Sequence, residues 1–228
     1  MAREPAPATS TRESISIVRT IDDFMKIVAV RSIVYIAGQE CPYDEEFDGN
    51  DFCGMHLLGT VNGEAVACLR IRFFAEFAKV ERLAVRPEYR TSSIAFKIVR
   101  QALRIVARKG YTQVYGHAQN GLEKFWARFG SKPLKSARGL SFSDFHYSEM
   151  LLKLPKAEDS IGLESDPYII IRPEGNWDQP GILERHRADL APLKATAIPP
   201  SSADHASGTS WSQTTMTAWQ RWAAGQAA

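Results

Sequence analysis

The stretch Val80–Gly110, VERLAVRPEYRTSSIAFKIVRQALRIVARKG, leaves few architectures open. Val80, Leu83, Ala84 and Val85 make a short apolar run broken by Glu81 and Arg82, which predicts a strand. Arg86-Pro87 ends it, because proline has no N–H for a sheet ladder and restricts the residue before it. A polar turn runs from Glu88 to Ser93. Ile94, Ile98, Val99, Ala102, Leu103 and Val106 then recur at helical spacing, with arginine and lysine on the opposite face. Lys109-Gly110 gives a basic last turn and a left-handed stop. Strand, tight turn and long helix are therefore contiguous.

That order has a chemical use. The first N–H groups of a helix have no intrahelical partner and lie at the positive end of its dipole. A turn of small residues lets a phosphate approach them. Arg90, Thr91, Ser92, Ser93, Ile94 and Ala95 occupy this turn, adding a cation and hydroxyl donors. An ordinary strand-to-helix connection with a serine cap fits the same spacing.

The flanking chain fills in a sheet. Ser14–Arg19 alternates apolar and polar residues as a first strand. Thr20 with Asp23 forms a capping box, Ile21, Phe24, Met25, Val28 and Tyr35 mark one helical face, and Arg31 lies near the C-terminal end of that helix. Gln39–Phe52 is dense in acid: Glu45, Glu46, Asp48 and Asp51 together ask for a cation. A substrate amine, a metal, or Arg31, Arg70 and Arg72 would answer, although the spacing excludes an EF-hand. A solvated acidic loop pinned by arginines is the plainer reading. Asn62-Gly63 between two apolar runs predicts a hairpin, with Arg70 and Arg72 on one face of its second strand. Thr112–His117 reads as a strand, Gln119–Phe129 as a helix, and Phe145–Leu154 as the last strand of the domain. Tyr168–Ile171 would add a strand and Leu183–Leu193 a short helix.

Composition sets the remaining bounds. The 228 residues carry a formal charge of +2 and a pI near 8.4, too mild to argue for nucleic acid or an anionic membrane. No apolar run approaches the roughly 20 residues of a membrane span, and MAREPAPATSTRES lacks the apolar centre of a signal peptide. Cys41, Cys53 and Cys68 have no zinc-like spacing, which predicts reduced thiols, no metal and a cytoplasmic location. Residues 1–13 should be flexible, 14–155 a single domain, 156–194 a partly structured extension, and 195–228 a disordered tail holding Trp211, Trp219 and Trp222.

Arg90-Thr91-Ser92-Ser93-Ile94-Ala95 resembles the pyrophosphate loop of the GNAT acyltransferase superfamily, Arg/Gln-x-x-Gly-x-Gly/Ala, with Leu83-Ala84-Val85 as its splayed strand. Ala118-Gln119, Phe125-Trp126 and Gly130-Ser131 are similar to later family positions, and the resemblance runs from Ile15 to Leu154. It departs at Ser93, where the family has glycine and a side chain would tighten the loop against a pyrophosphate. It departs again at Trp126, where the family often has a tyrosine that protonates the leaving thiolate. The resemblance implies an α+β fold in α/β/α layers, with a mixed, mostly antiparallel sheet. It also implies acyl transfer from acetyl-CoA or another acyl-CoA to a primary amine by direct attack.

Within that frame Glu81 is the candidate general base, with His117 and His146 in reserve. Leu83, Ala84 and Val85 would pair with the pantetheine arm, and residues 90–95 would hold the pyrophosphate. Arg31, Glu46, Asp48, Asp51 and Arg70 are the candidates for the acceptor pocket. Acid suits an amine and arginine a carboxylate, so an amino-acid-like acceptor fits. The same arginines and acidic loop are similar to acyl-homoserine-lactone and N-acyl amino acid synthases, which take their donor from acyl carrier protein. A third reading is a GNAT-like binding module without catalysis, and a homodimer is allowed for.

Overall fold

The computed structural model describes residues 12–134, 139–142 and 144–185. Contacts divide the chain after Ile182, and all that follows concerns the unit ending there. Its elements are β1 (Glu13–Ile17), α1 (Ile21–Arg31), α2 (Tyr43–Glu46), β2 (Met55–Val61), β3 (Glu64–Phe73), β4 (Ala78–Val85) and α3 (Ile94–Arg108). Then come β5 (Gln113–Gln119), α4 (Glu123–Ala127), β6 (Lys132–Pro133), β7 (Leu140–Phe142), β8 (Phe145–Lys153) and α5 (Pro167–Ile171). One sheet takes the order β1-β2-β3-β4-β5-β8-β6, with β7 also paired to β8. Every pairing is antiparallel except β4 with β5.

The helices cover both faces because each carries one apolar stripe. Ile94, Ile98, Val99, Ala102, Ile105 and Val106 of α3 bury against Leu57, Leu69, Ile71, Val80 and Val114. On the other face Ile27 and Val30 of α1, with Val34, bury against Leu58, Cys68 and Ala84. The Thr20 hydroxyl caps α1, accepting from the Asp23 N–H at 3.1 Å. Asn62 and Gly63 turn the β2–β3 hairpin with φ of 51° and 86°, the left-handed pair that a tight turn of this hand requires.

Four local readings change, one being that Gln119 ends β5 and the helix expected over Gln119–Phe129 is confined to α4. Glu13, expected in the flexible start, opens β1. The α-helix of α1 stops at Arg31, and Ser32–Ala37 widen into a π-helical turn. That turn carries Tyr35, whose hydroxyl donates to the Leu83 carbonyl at 2.8 Å. The strand expected at Tyr168–Ile171 is the helix α5 instead. Pro167 occupies its first turn and the Asp166 carboxylate accepts from the Tyr168 N–H at 2.9 Å. Trp177, beyond α5, is buried in the α3-side core. Residues 1–11 of the start expected to be flexible, most of the Leu183–Leu193 helix and the tryptophan-bearing tail lie outside the described residues.

Two irregularities in the sheet make the site. Arg82 adopts φ +53°, and the β3–β4 register skips there, from Arg70 opposite Glu81 to Cys68 opposite Ala84. This β-bulge turns β4 away from its neighbour. On the other side β4 pairs with β5 only from Ala78–Val80 to Val114–Gly116, and beyond that rung the strands part. Gly116 sits at the last rung, where a Cβ would lie 3.0 Å from the Val80 carbonyl oxygen. Gly116→Ala is expected to cost about 1–3 kcal/mol by overpacking, read as a lower urea midpoint with an unchanged slope.

Candidate active site

The parted strands open a cavity of about 970 Å³. Glu81, Leu83 and Val85 of β4 line one side and His117 and Gln119 of β5 the other. Arg90 and Ser92 reach it from the turn before α3, Ala95 from the first turn of α3, and Glu46 and Asp48 from the acidic loop. Residues far apart in the chain and picked out on separate grounds therefore meet around one cavity.

The other predicted residues sit elsewhere. Ala84 is buried against α1, and Ile94 is buried under the sheet. Thr91 and Ser93 are exposed. Ser93 has φ −80° and ψ −3°, an ordinary right-handed conformation open to any side chain. Its hydroxyl donates to Glu13 Oε2 at 2.6 Å, and Lys97 Nζ lies 2.7 Å from the same oxygen. The departure from the family glycine thus reaches toward β1 and does not tighten the turn on the cavity side. Arg90 is steadied by its Nε, which donates to the Val85 carbonyl at 3.3 Å.

Arg31 and Arg70, expected in the acceptor pocket, are fully buried behind its wall at 0% exposure. Arg70 donates from Nε to Glu81 (2.8 Å), from Nη1 to Asp48 (2.9 Å) and Asp51 (2.7 Å), and from Nη2 to Asp48 (2.6 Å). Arg31 donates from Nη1 to Asp51 and from Nη2 to the Glu46 carbonyl, both at 2.6 Å, and its Nε meets the Glu46 carboxylate. Burial alone would push the Asp48 carboxyl up, yet hydrogen bonds from Arg70 and the Asn50 N–H, with the charges of Arg70 and Arg82, hold it well below its usual range. Asp51 is held down by Arg31 and Arg70 in the same way. The acidic loop is therefore pinned by arginines, as its plainer reading has it, but with Glu46 buried at 1% exposure.

Lys79, Arg82, Tyr35 and Tyr147 also line the cavity, although sequence reasoning passed over them as site residues. Alternation along β4, which puts Lys79 beside Glu81, was an available signal. Lys79 Nζ lies 2.7 Å from Glu81 Oε2, so both oxygens of Glu81 are held by cations. Among the described residues no helix is long and apolar enough to cross a membrane.

Comparison with known proteins agrees with this architecture. Residues 25–130 match the Acetyltransferase (GNAT) family. A Bacillus subtilis (strain 168) protein named as a candidate acetyltransferase is 28% identical over 104 residues, covering 44% of this chain and 71% of that one. Escherichia coli ElaA superposes with a TM-score of 0.56 at 22% identity, over 62% of this chain and 100% of its own. An acyl-CoA N-acyltransferase from Pseudomonas aeruginosa gives the same score and identity over 63% and 99%. An N-acetyltransferase structure from Lactobacillus plantarum gives 0.58 at 17% identity over 63% and 99%. At these identities the structures speak for the fold. Family match, splayed strand and the turn before α3 converge: the fold is that of the GNAT acyltransferases, and residues 25–130 are the part that matches the acetyltransferase family.

Proposed function

We propose that this protein transfers an acetyl or other acyl group from acyl-CoA to a small-molecule primary amine by direct attack. The observation that carries the reading is the cavity itself, where parted strands, the Arg90 turn and an acidic wall adjoin. Arg90 and the first N–H groups of α3 suit a pyrophosphate. The edge of β4 over Leu83–Val85, unpaired with β5, suits the amide groups of a pantetheine arm and an N–H to the tetrahedral oxyanion. Glu46, Asp48 and Glu81 bring negative charge to the acceptor side, which draws an ammonium. Glu81, the base expected from the sequence, pairs with Arg70 and Lys79 and keeps lone pairs that can accept from a water or an amine. An acyl-CoA donor makes the cytoplasm the compartment of this reading.

A second reading takes the acyl group from acyl carrier protein to an amino-acid-like acceptor. The assembly of Arg31, Asp48, Asp51 and Arg70 into one ion network favours it, since those are the residues that resemble acyl amino acid synthases.

The test is thermal stabilisation of the whole chain by acetyl-CoA, longer acyl-CoAs and free CoA, followed by thiol release with a panel of amines. Ligand at 100 times its Kd stabilises by about 2.7 kcal/mol, which is several degrees of melting point for a domain of this size. A shift with acyl-CoA and CoA release on adding an amine are expected. No shift with any CoA, but transfer from acyl carrier protein, would move the second reading ahead. Neither donor binding nor transfer would leave a binding module.

A further inference from the structure

Trp126 lines the cavity, and its indole N–H is a hydrogen-bond donor only that does not ionise near neutral pH. Something else must carry the proton from the amine to the sulfur. His117 stands on β5 just past the last rung with β4, and its side chain lines the cavity. Its Nε2 lies 2.8 Å from the Tyr115 hydroxyl, and that hydroxyl lies 2.5 Å from Glu149 Oε1 on β8. The pairing of His117 with Glu149 across β5 and β8 aligns the three groups.

This chain fixes the imidazole tautomer. A tyrosine hydroxyl has one proton, and a carboxylate has none to give, so Tyr115 donates to Glu149. The hydroxyl can then only accept from His117, which must hold its proton on Nε2. Nδ1 is left as the lone pair, and it has no hydrogen-bond partner among the described residues. Glu81 differs, with both oxygens on cations.

Resting on the acyl-transfer reading above, we propose that His117 is the proton carrier of the reaction, accepting at Nδ1 from the attacking amine and returning that proton to the leaving sulfur. The amine nitrogen forms the new bond to the thioester carbon as its proton passes to Nδ1, directly or through a water. Collapse of the tetrahedral adduct breaks the C–S bond, the electron pair leaves on sulfur, and the imidazolium protonates it. Amide and free thiol are the products and His117 is neutral again. Tyr115 and Glu149 act through the imidazole and are positioning residues.

The groups facing His117 set its working range. They are Tyr115 on its own strand, Lys79 and Glu81 from β4, and Glu149 from β8. Burial, followed by the charge of Lys79, pulls the imidazole below its usual 6.5 against the opposing pull of Glu149 and Glu81. The base is thus neutral and ready at pH 7, and activity should fall as pH drops through its lowered value.

The experiment combines kinetics on the full chain with ¹⁵N NMR of its histidine rings. In the ligand-free protein His117 is expected as the Nε2–H tautomer, and Tyr115→Phe should mix the two tautomers and lower kcat about tenfold. His117→Gln should lower kcat at least about 100-fold, abolish the acidic limb of the pH profile, and leave the thermal shift with CoA within error. A wild-type Nδ1–H tautomer would overturn the assignment, as would a His117→Gln enzyme within threefold of wild type. Loss of the acidic limb in Glu81→Gln instead of His117→Gln would do the same. Those results leave acyl transfer standing, whereas a wild-type protein that neither binds acyl-CoA nor releases thiol overturns both readings.

Discussion

Arg70→Ala is expected to cost about 3–5 kcal/mol of folding stability, the range for stripping one partner from a buried ion cluster. Its guanidinium is fully buried and holds three carboxylates, Asp48, Asp51 and Glu81. Alanine leaves Asp51 to Arg31, Asp48 to Arg82 and Glu81 to Lys79, short of the cation that joins all three, and the loss rivals the whole stability of a marginal domain. Arg72→Ala is the contrast. That side chain is 22% exposed and reaches Glu81 only at 4.0 Å, so about 1 kcal/mol or less is expected. Acid should discriminate between these accounts. In the wild type Asp48 and Asp51 titrate below their unfolded value of 3.8, so their stabilisation is fully present above that pH and is lost only as pH falls beneath it. Without Arg70, burial is less opposed and raises the same carboxyls, so the folded variant takes up protons that the unfolded chain does not. The gap between wild type and variant should therefore narrow from pH 7 toward pH 4. Urea unfolding at the two pH values measures it, and a constant gap would mean that packing, not charge, makes Arg70 necessary.

The same residue shows where sequence reasoning stops. Asn62-Gly63, the Thr20 cap and the Ile94–Val106 stripe act within a few residues of themselves, and each stands where local chemistry puts it. Arg70 was placed on the right strand and linked to the right acids, because excess like charge must be compensated somewhere. Whether an arginine meets those acids from the cavity or from behind its wall depends on how the loop packs against β3 and β4. That is a long-range matter and invisible to spacing. Tyr35 illustrates the same limit, since its helical spacing was clear but the π-helical turn that delivers it to Leu83 was not. The Tyr115–His117–Glu149 alignment needs the β5–β8 register, which pairs residues more than thirty apart. At Tyr168–Ile171 the apolar run was short enough for strand or helix, and the Asp166-Pro167 start decided it.

Arg90→Glu is expected to weaken acyl-CoA binding at least about 100-fold. Arg90 is the cation of the turn that faces the cavity, and the substitution removes a charge-assisted contact to the pyrophosphate and adds repulsion. A loss of about 3 kcal/mol corresponds to that factor. Ser93→Gly, which restores the family residue, should leave donor affinity within about threefold. The conformation at Ser93 needs no glycine, and its hydroxyl is spent on Glu13, away from the cavity wall. What Ser93→Gly should change is stability, by the net value of one hydrogen bond to a charged group, about 1.5–3 kcal/mol at most. Lys97 continues to hold Glu13 and reduces that cost. Calorimetric titration of both variants with acetyl-CoA separates the two positions. A tenfold gain in affinity from Ser93→Gly would mean that the serine does constrain the turn. Unchanged binding in Arg90→Glu would move the pyrophosphate off this turn altogether, and with it the reason for reading the cavity as a coenzyme A site.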